Sequence, residues 1–136
     1  MKILNYFLAV LFLVFAWFQR NDIDPEIYNN ASSLDSALWL LFYLVIGVVF
    51  ILMNFKRVPK WYFIVALIAC IIEMSLSGPG LWRNLMGEEA FTMTQTSMSA
   101  ADPRVELTRE FFGSVIALAA VAFQFRQSRK RKMSTS

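Results

Sequence analysis

Four long apolar runs, at 3–18, 36–55, 61–77 and 111–125, take up half of this 136-residue chain. They contain one of its 23 charged side chains, Glu73. A soluble domain of this size has too few polar residues left to cover four such runs. Hydrophobic residues make up 57% of the chain, against about 45–50% in typical soluble proteins. The solvent that fits the runs is the bilayer, whose hydrocarbon core of roughly 30 Å is crossed by a helix of about 20 residues. The expected fold is all-α: an antiparallel four-helix transmembrane bundle. Its spans fall near 3–19, 36–55, 61–77 and 103–126, in one membrane domain over 1–127 with a basic tail over 128–136.

The first run follows Lys2, as in a secretory signal peptide. No Ala-x-Ala precedes Gln19, where the residues are Phe15-Ala16-Trp17-Phe18, so an uncleaved span is expected. Asp24-Pro25 ends that helix, because proline lacks the amide donor and disfavours helix at the residue before it. Asn30-Ala31-Ser32 matches the glycosylation acceptor pattern, which matters only in a eukaryotic secretory pathway. Asp35 can cap the second helix, with Trp39 and Tyr43 as interfacial aromatics. Lys56-Arg57-Val58-Pro59-Lys60 forms a basic turn. Gly78-Pro79-Gly80 is expected to stop the third helix. Leu81, Trp82, Leu85 and Met86 then suggest a short interfacial helix, 93–100 a polar loop, and Asp102-Pro103 the start of the fourth helix.

Charge alternates between connections. One side of the bundle takes Lys2, the 56–60 turn, Arg126 and the tail, with nine cations and no acid. The other takes four arginines and nine acids. The positive-inside rule therefore predicts cytoplasmic termini and two outward loops. The basic tail is expected to be a topology anchor, with a site for anionic lipid headgroups as the alternative; no folded domain surrounds it to read a groove, so nucleic acid is not expected as a partner.

Small and polar residues recur at helical spacing in each run: Asn5, Ala9, Phe12, Ala16 and Gln19; Ser36, Tyr43, Gly47 and Asn54; Tyr62, Ala66, Ala69, Glu73 and Ser77; Glu106, Glu110, Gly113, Ala117, Ala120 and Gln124. Such stripes let membrane helices approach and hydrogen-bond to one another. Gly47, Gly113 and Ala117 are the expected packing positions. Packing alone accounts for the stripes.

Antiparallel packing brings a polar cluster to the outward end: Gln19, Asn21, Asp22, Asp24, Tyr43, Glu73, Arg109 and Glu110. Glu73 is the most informative of these. An acid at mid-bilayer costs roughly 2.5–3.5 kcal/mol on insertion scales, and such residues face the bundle interior with a partner. The expected partner is Arg109, then Arg20, in an ion pair clamping the third and fourth helices. The rival reading joins Glu73 and Glu110 with Asp22 or Asp24 as a proton or cation site, since hard cations take carboxylate oxygens.

Gln19-x-Asn21-Asp22-x-Asp24-Pro25 after the first run and Arg109-Glu110-x-x-Gly113 opening the last resemble the transmembrane protein 220 family. Ile23 stands where the family pattern Asn-Asp-Pro-Asp has proline, and Tyr28 lies near where a tryptophan is usual. The resemblance implies a four-span integral membrane protein and implies no reaction.

Catalysis has little support. The chain has no histidine and one cysteine, Cys70, so it has no Ser/His or Cys/His pair, no zinc pattern and no internal disulfide. It also lacks a phosphate-cradling glycine loop. No catalytic residue, metal or cofactor is expected. The leading expectation is a non-enzymatic accessory or binding protein of the lipid bilayer, acting with a membrane-protein partner or as a homo-oligomer. The alternative is a small transporter or ion-binding protein using the outward carboxylates.

Overall fold

The computed structural model describes residues 1–20, 22–29 and 32–133. Asn21 of the expected cluster and the Asn30-Ala31 part of the acceptor triplet lie outside the described residues. The chain forms four helices, α1 (Lys2–Gln19), α2 (Ser33–Leu52), α3 (Lys60–Met86) and α4 (Arg104–Met133), with a single 3-10 turn at Gln95–Ser97. By length and composition α1, α2 and α3 are apolar enough to cross a membrane. α4 has an apolar middle, 111–125, bracketed by charge, and lies along α3.

The helices form two antiparallel hairpins. In the first, the Ser36 hydroxyl donates to the Gln19 carbonyl at one end. At the other end Asn5 Nδ2 donates to Asn54 Oδ1 at 2.9 Å. In the second hairpin, Asn84 Nδ2 meets Thr108 Oγ1 at 3.0 Å near the loops, and Tyr62 meets Gln124 at 2.8 Å near the termini. The hairpins join along α2 and α4, where Gln124 Nε2 donates to the Ile46 carbonyl at 3.0 Å and the Phe50 and Phe123 rings meet. α2 and α3 do not pack closely, and a cleft runs between them.

The inward faces are largely the predicted stripes. Asn5, Ala9, Phe12 and Ala16 of α1, Ser36, Tyr43 and Gly47 of α2, and Ala117, Ala120 and Gln124 of α4 are all buried. Gly47 lets α1 approach: a Cβ there would lie 3.2 Å from the Ala9 carbonyl oxygen. Leu, Ile and Val on the opposite faces are exposed to the bilayer.

Several boundaries differ from expectation. Gly78-Pro79-Gly80 does not stop the third helix; α3 continues through it to Met86, so Leu81, Trp82, Leu85 and Met86 are its last turns. The segment is helix, and Gly80 within it is a contact point rather than part of a turn. Gly80 is buried against α4, and a Cβ placed on it would overlap the Cβ of Leu107. Tertiary packing thus overrides the local signal, and membrane helices tolerate such breakers where neighbours cover the freed backbone. Asp35 is not the cap of α2. Ser32 is, its hydroxyl accepting from the Leu34 and Asp35 amides at 3.2 and 3.4 Å. α4 also outruns its expected end, passing Arg126 and Lys130 to reach Met133.

A ladder of amides ties the helices together near the termini. Asn5 Oδ1 accepts from Gln127 Nε2 at 2.9 Å while its own Nδ2 serves Asn54. One buried side chain therefore links α1, the end of α2 and α4. Interhelical hydrogen bonds in membranes average about 0.6 kcal/mol each. Asn5→Leu, which removes two of them, is expected to lower stability by about 1 kcal/mol. Denaturant titration of the purified protein in detergent checks this.

Candidate functional site

At the loop end of the bundle, α3 and α4 rise past the apolar layer and carry the 87–103 connection. Its organising pair is Asn84 and Arg104, at 1% and 9% exposure. Asn84 Nδ2 donates to the Thr92 carbonyl at 2.7 Å, and Asn84 Oδ1 accepts from Arg104 Nη1 at 2.8 Å. Arg104 also donates to the Ala90 carbonyl at 3.2 Å and to Asp102 Oδ2 at 2.9 Å, and its Nη2 is paired with Glu89. This knot fixes the long connection against both helices. The connection in turn meets the 20–32 segment, where the Glu26 carbonyl accepts from the Ala100 amide at 3.2 Å. Beside it, the Asn29 amide donates to Glu106 Oε2 at 2.8 Å.

The two connections and the ends of α1, α2 and α4 enclose a pocket of about 160 Å3. Gln19, Asp22, Tyr43, Arg109 and Glu110 of the expected cluster line it. Tyr28, Asp35 and Glu106 join them from the wall, with Trp39 at the base of the α2 side. The Asp22 carboxylate accepts from the Tyr28 hydroxyl at 2.7 Å. Asp24 is brought elsewhere: it lies on the surface, where its Oδ1 accepts from the Glu26 amide at 3.0 Å and caps a turn.

Burial pushes the Asp22 carboxyl above its ordinary value of 3.8, against the opposing pull of Tyr28 and Arg109. The Tyr28 hydroxyl is raised as well, first by burial and then by Asp22. A carboxyl raised in the fold binds its proton better folded than unfolded. Its stabilising contribution is complete below the ordinary value and is lost as pH rises through the raised one. Asp22→Asn keeps an acceptor for Tyr28 and removes this titration. Its melting temperature is expected to fall less than the wild type's between about pH 4 and about pH 7.

Glu73 is not part of this pocket. It lines the separate cleft between α2 and α3, a hollow of about 450 Å3 walled by Leu41, Phe42, Val45, Trp61 and Val65. The expected Glu73–Arg109 ion pair is not formed. Arg109 turns to the pocket, with Nη1 3.5 Å from Met98 Sδ. Arg20, the second expected partner, lies over the Trp17 ring at 3.6 Å. Glu73 shares its face of α3 with Tyr62, Ala66 and Ala69 and lines the cleft with them, whereas Arg109 lines the pocket at the loop end. Among the described residues the Glu73 carboxylate has no hydrogen-bond or ion-pair partner. Nor do three acidic side chains converge closely enough, among those residues, to hold a metal ion, so Glu73, Glu110 and Asp22 or Asp24 do not form the hard-cation shell of the rival reading.

The family model described as "Transmembrane family 220, helix" matches residues 11–126. The chain belongs to that family. The match covers both segments quoted for the resemblance, at 19–25 and 109–113, and so the Transmembrane family 220 region includes every residue lining the pocket and the cleft. No curated protein and no solved structure matches the chain significantly.

In this member of Transmembrane family 220, Arg109-Glu110-x-x-Gly113 has a direct structural meaning. Arg109 and Glu110 line the pocket, and Gly113 makes room one turn below for the Tyr43 hydroxyl, which a Cβ would overlap. Sequence reasoning did not place Arg104 and Asn84 in a common knot, because nothing local separates a buried arginine from a loop one. Asp35 is a pocket wall rather than a cap because α2 begins at Ser33, three residues before the expected 36.

Proposed function

We propose that this integral membrane protein is a non-enzymatic accessory subunit, which binds a helix of another membrane protein in the α2–α3 cleft. Its termini are cytoplasmic and its loop end faces outward, a reading supported by the nine cations on the terminal side and the nine acids on the other.

Glu73 carries the proposal. An ionisable side chain inside a membrane ordinarily faces the protein interior and has a partner. Glu73 instead lies at one end of an open apolar cleft, within electrostatic reach of Asp35 but without a cation or donor. A second hollow, of about 380 Å3, continues the cleft to Lys56 and Arg57. Together they follow α2 from Leu38 to Leu52, about 21 Å at 1.5 Å per residue. That is a helix-length groove with an acid, Glu73, towards the loop end and Lys56 and Arg57 at the other, and a partner helix bearing a donor at the level of Glu73 completes it.

The test is affinity purification in mild detergent, comparing the wild type with Glu73→Leu. The wild type is expected to retain a stoichiometric membrane-protein partner. Glu73→Leu is expected to lose it while its own melting temperature stays level or rises, since the substitution removes an acid from an apolar cleft. A wild-type protein that purifies as a bare monomer, or a Glu73→Leu protein that unfolds more easily yet keeps its partner, contradicts the proposal. Recovery of a second copy of the chain alone makes the assembly a homo-oligomer instead.

A further inference from the structure

The pocket at the loop end is chemically unlike the cleft. Asp22, Asp35, Glu106 and Glu110 line it, against the single guanidinium of Arg109. Glu110 lies within electrostatic reach of the other three and of Glu73 in the neighbouring cleft. Two of the acids are engaged inside the protein, Asp22 by the Tyr28 hydroxyl and Glu106 by the Asn29 amide. The carboxylates of Asp35 and Glu110 have no hydrogen-bond or ion-pair partner among the described residues.

An independent observation comes from Tyr43. Its side chain is 5% exposed and packed among Phe12, Phe15 and Trp39, with ring centroids 6.0, 5.7 and 5.5 Å away. Its hydroxyl passes over Gly113 to reach the pocket and has no hydrogen-bond partner among the described residues. The hydroxyl is not sealed within the core but opens to the pocket. The groove over Gly113 therefore places a polar atom where an occupant of the pocket can serve it.

The geometry points to a binding site for a small organic ammonium ion, held by Glu110 and Asp35, capped by the Tyr43 hydroxyl and bordered by the Trp39 indole. The ligand's charge follows from four acids against one base. Its organic character follows from the spread of the acids: no three acidic side chains among the described residues converge on a point, as a metal shell requires. Carboxylates around a wall that also holds aromatic rings suit a larger, softer cation, which rings attract through their quadrupole. The volume of about 160 Å3 corresponds to about five waters at 30 Å3 each, the scale of a methylated amine. The same group occurs free in solution and on choline and ethanolamine lipid headgroups.

The test titrates tetramethylammonium, methylammonium, sodium, calcium and acetate against the full-length protein in a non-ionic detergent, followed by calorimetry. Saturable binding of either ammonium ion, at least tenfold tighter than sodium and calcium, is expected. Glu110→Gln and Tyr43→Phe are each expected to weaken it about tenfold or more while leaving the ligand-free melting temperature within a few degrees. Asp35→Asn provides a second acid variant should Glu110→Gln fail to fold. Repeating the titration in nanodiscs of phosphatidylglycerol with and without phosphatidylethanolamine separates the sources: competition from the ethanolamine lipid marks a headgroup site, and unchanged affinity a site for a free amine. Absence of saturable ammonium binding to the wild type overturns the inference. So does calcium binding as tightly as the ammonium ions, or binding that survives Glu110→Gln and Asp35→Asn unchanged.

Discussion

Gly80→Leu is expected to take the α3–α4 hairpin apart. A Cβ on Gly80 already overlaps the Cβ of Leu107, an atom one bond from the backbone that cannot swing away. The two helices must separate, and with them the Tyr62–Gln124 and Asn84–Thr108 hydrogen bonds on either side of the contact. Overpacking a close-packed site costs about 1–3 kcal/mol and occasionally more. A whole leucine side chain at a helix crossing belongs at or above the top of that range. Gly80→Ala is expected to be destabilising as well. Gly78→Ala is the control: its Cβ would meet the Phe111 ring at 4.0 Å, an ordinary contact. Replacing a helical glycine by alanine also favours the helix by about 0.5–1 kcal/mol, so Gly78→Ala is expected to melt at or above the wild-type temperature. Thermal unfolding of the three variants in one detergent separates a packing surface from a turn. If Gly80→Leu melts with the wild type, the continuous α3 is wrong.

Arg104→Met is expected to release the 87–103 connection. The methionine fills much of the space but donates nothing. Asn84 then loses its charged donor, Glu89 loses its cation, and Asp102 keeps only Arg83, at 3.6 Å. Removing one partner of a fully buried ion pair costs about 3–5 kcal/mol. Here Glu89 and Asp102 remain partly in solvent, so a loss of about 2–3 kcal/mol is expected, the range of one or two charge-assisted hydrogen bonds. Arg104→Lys is not a substitute. A lysine ammonium cannot reproduce the planar fork that reaches Asn84, Asp102 and Glu89 together. The loss is local, so hydrogen exchange is the sensitive probe: amides in 87–103 are expected to lose protection in both variants, while those of α1 and α2 keep theirs. Uniform loss across all four helices would contradict a knot confined to this connection.

These two expectations mark where the sequence was legible and where it was not. The buried faces could be read directly, because membrane helices need small or polar residues at contacts, and Asn5, Gly47, Tyr62, Ala117 and Gln124 recur at helical spacing. The same logic brought Gln19, Asp22, Tyr43, Arg109 and Glu110 to one end, where they line one pocket. What failed was whatever depends on which space a side chain turns to or on a distant neighbour. Gly78-Pro79-Gly80 carries strong turn chemistry, yet it is helix where it packs against Leu107 and Phe111, far along the chain. Glu73 and Arg109 lie at a similar depth but face different spaces, so shared depth suggested a pair that the packing does not make. Arg104 looked like one of four loop arginines, because its burial depends on Asn84 and the fold of a long connection.

The central claim is that the α2–α3 cleft holds a protein helix and that Glu73 secures it. Site-specific photo-crosslinking in intact membranes tests this most directly, with a photoreactive side chain at Val45 in the cleft and, as reference, at Val10 on the exposed side of α1. The account predicts one discrete protein adduct from Val45, none from Val10, and disappearance of the Val45 adduct when Glu73→Leu is added. Adducts to lipid alone at both positions, or a protein adduct at Val45 that persists without Glu73, would contradict it.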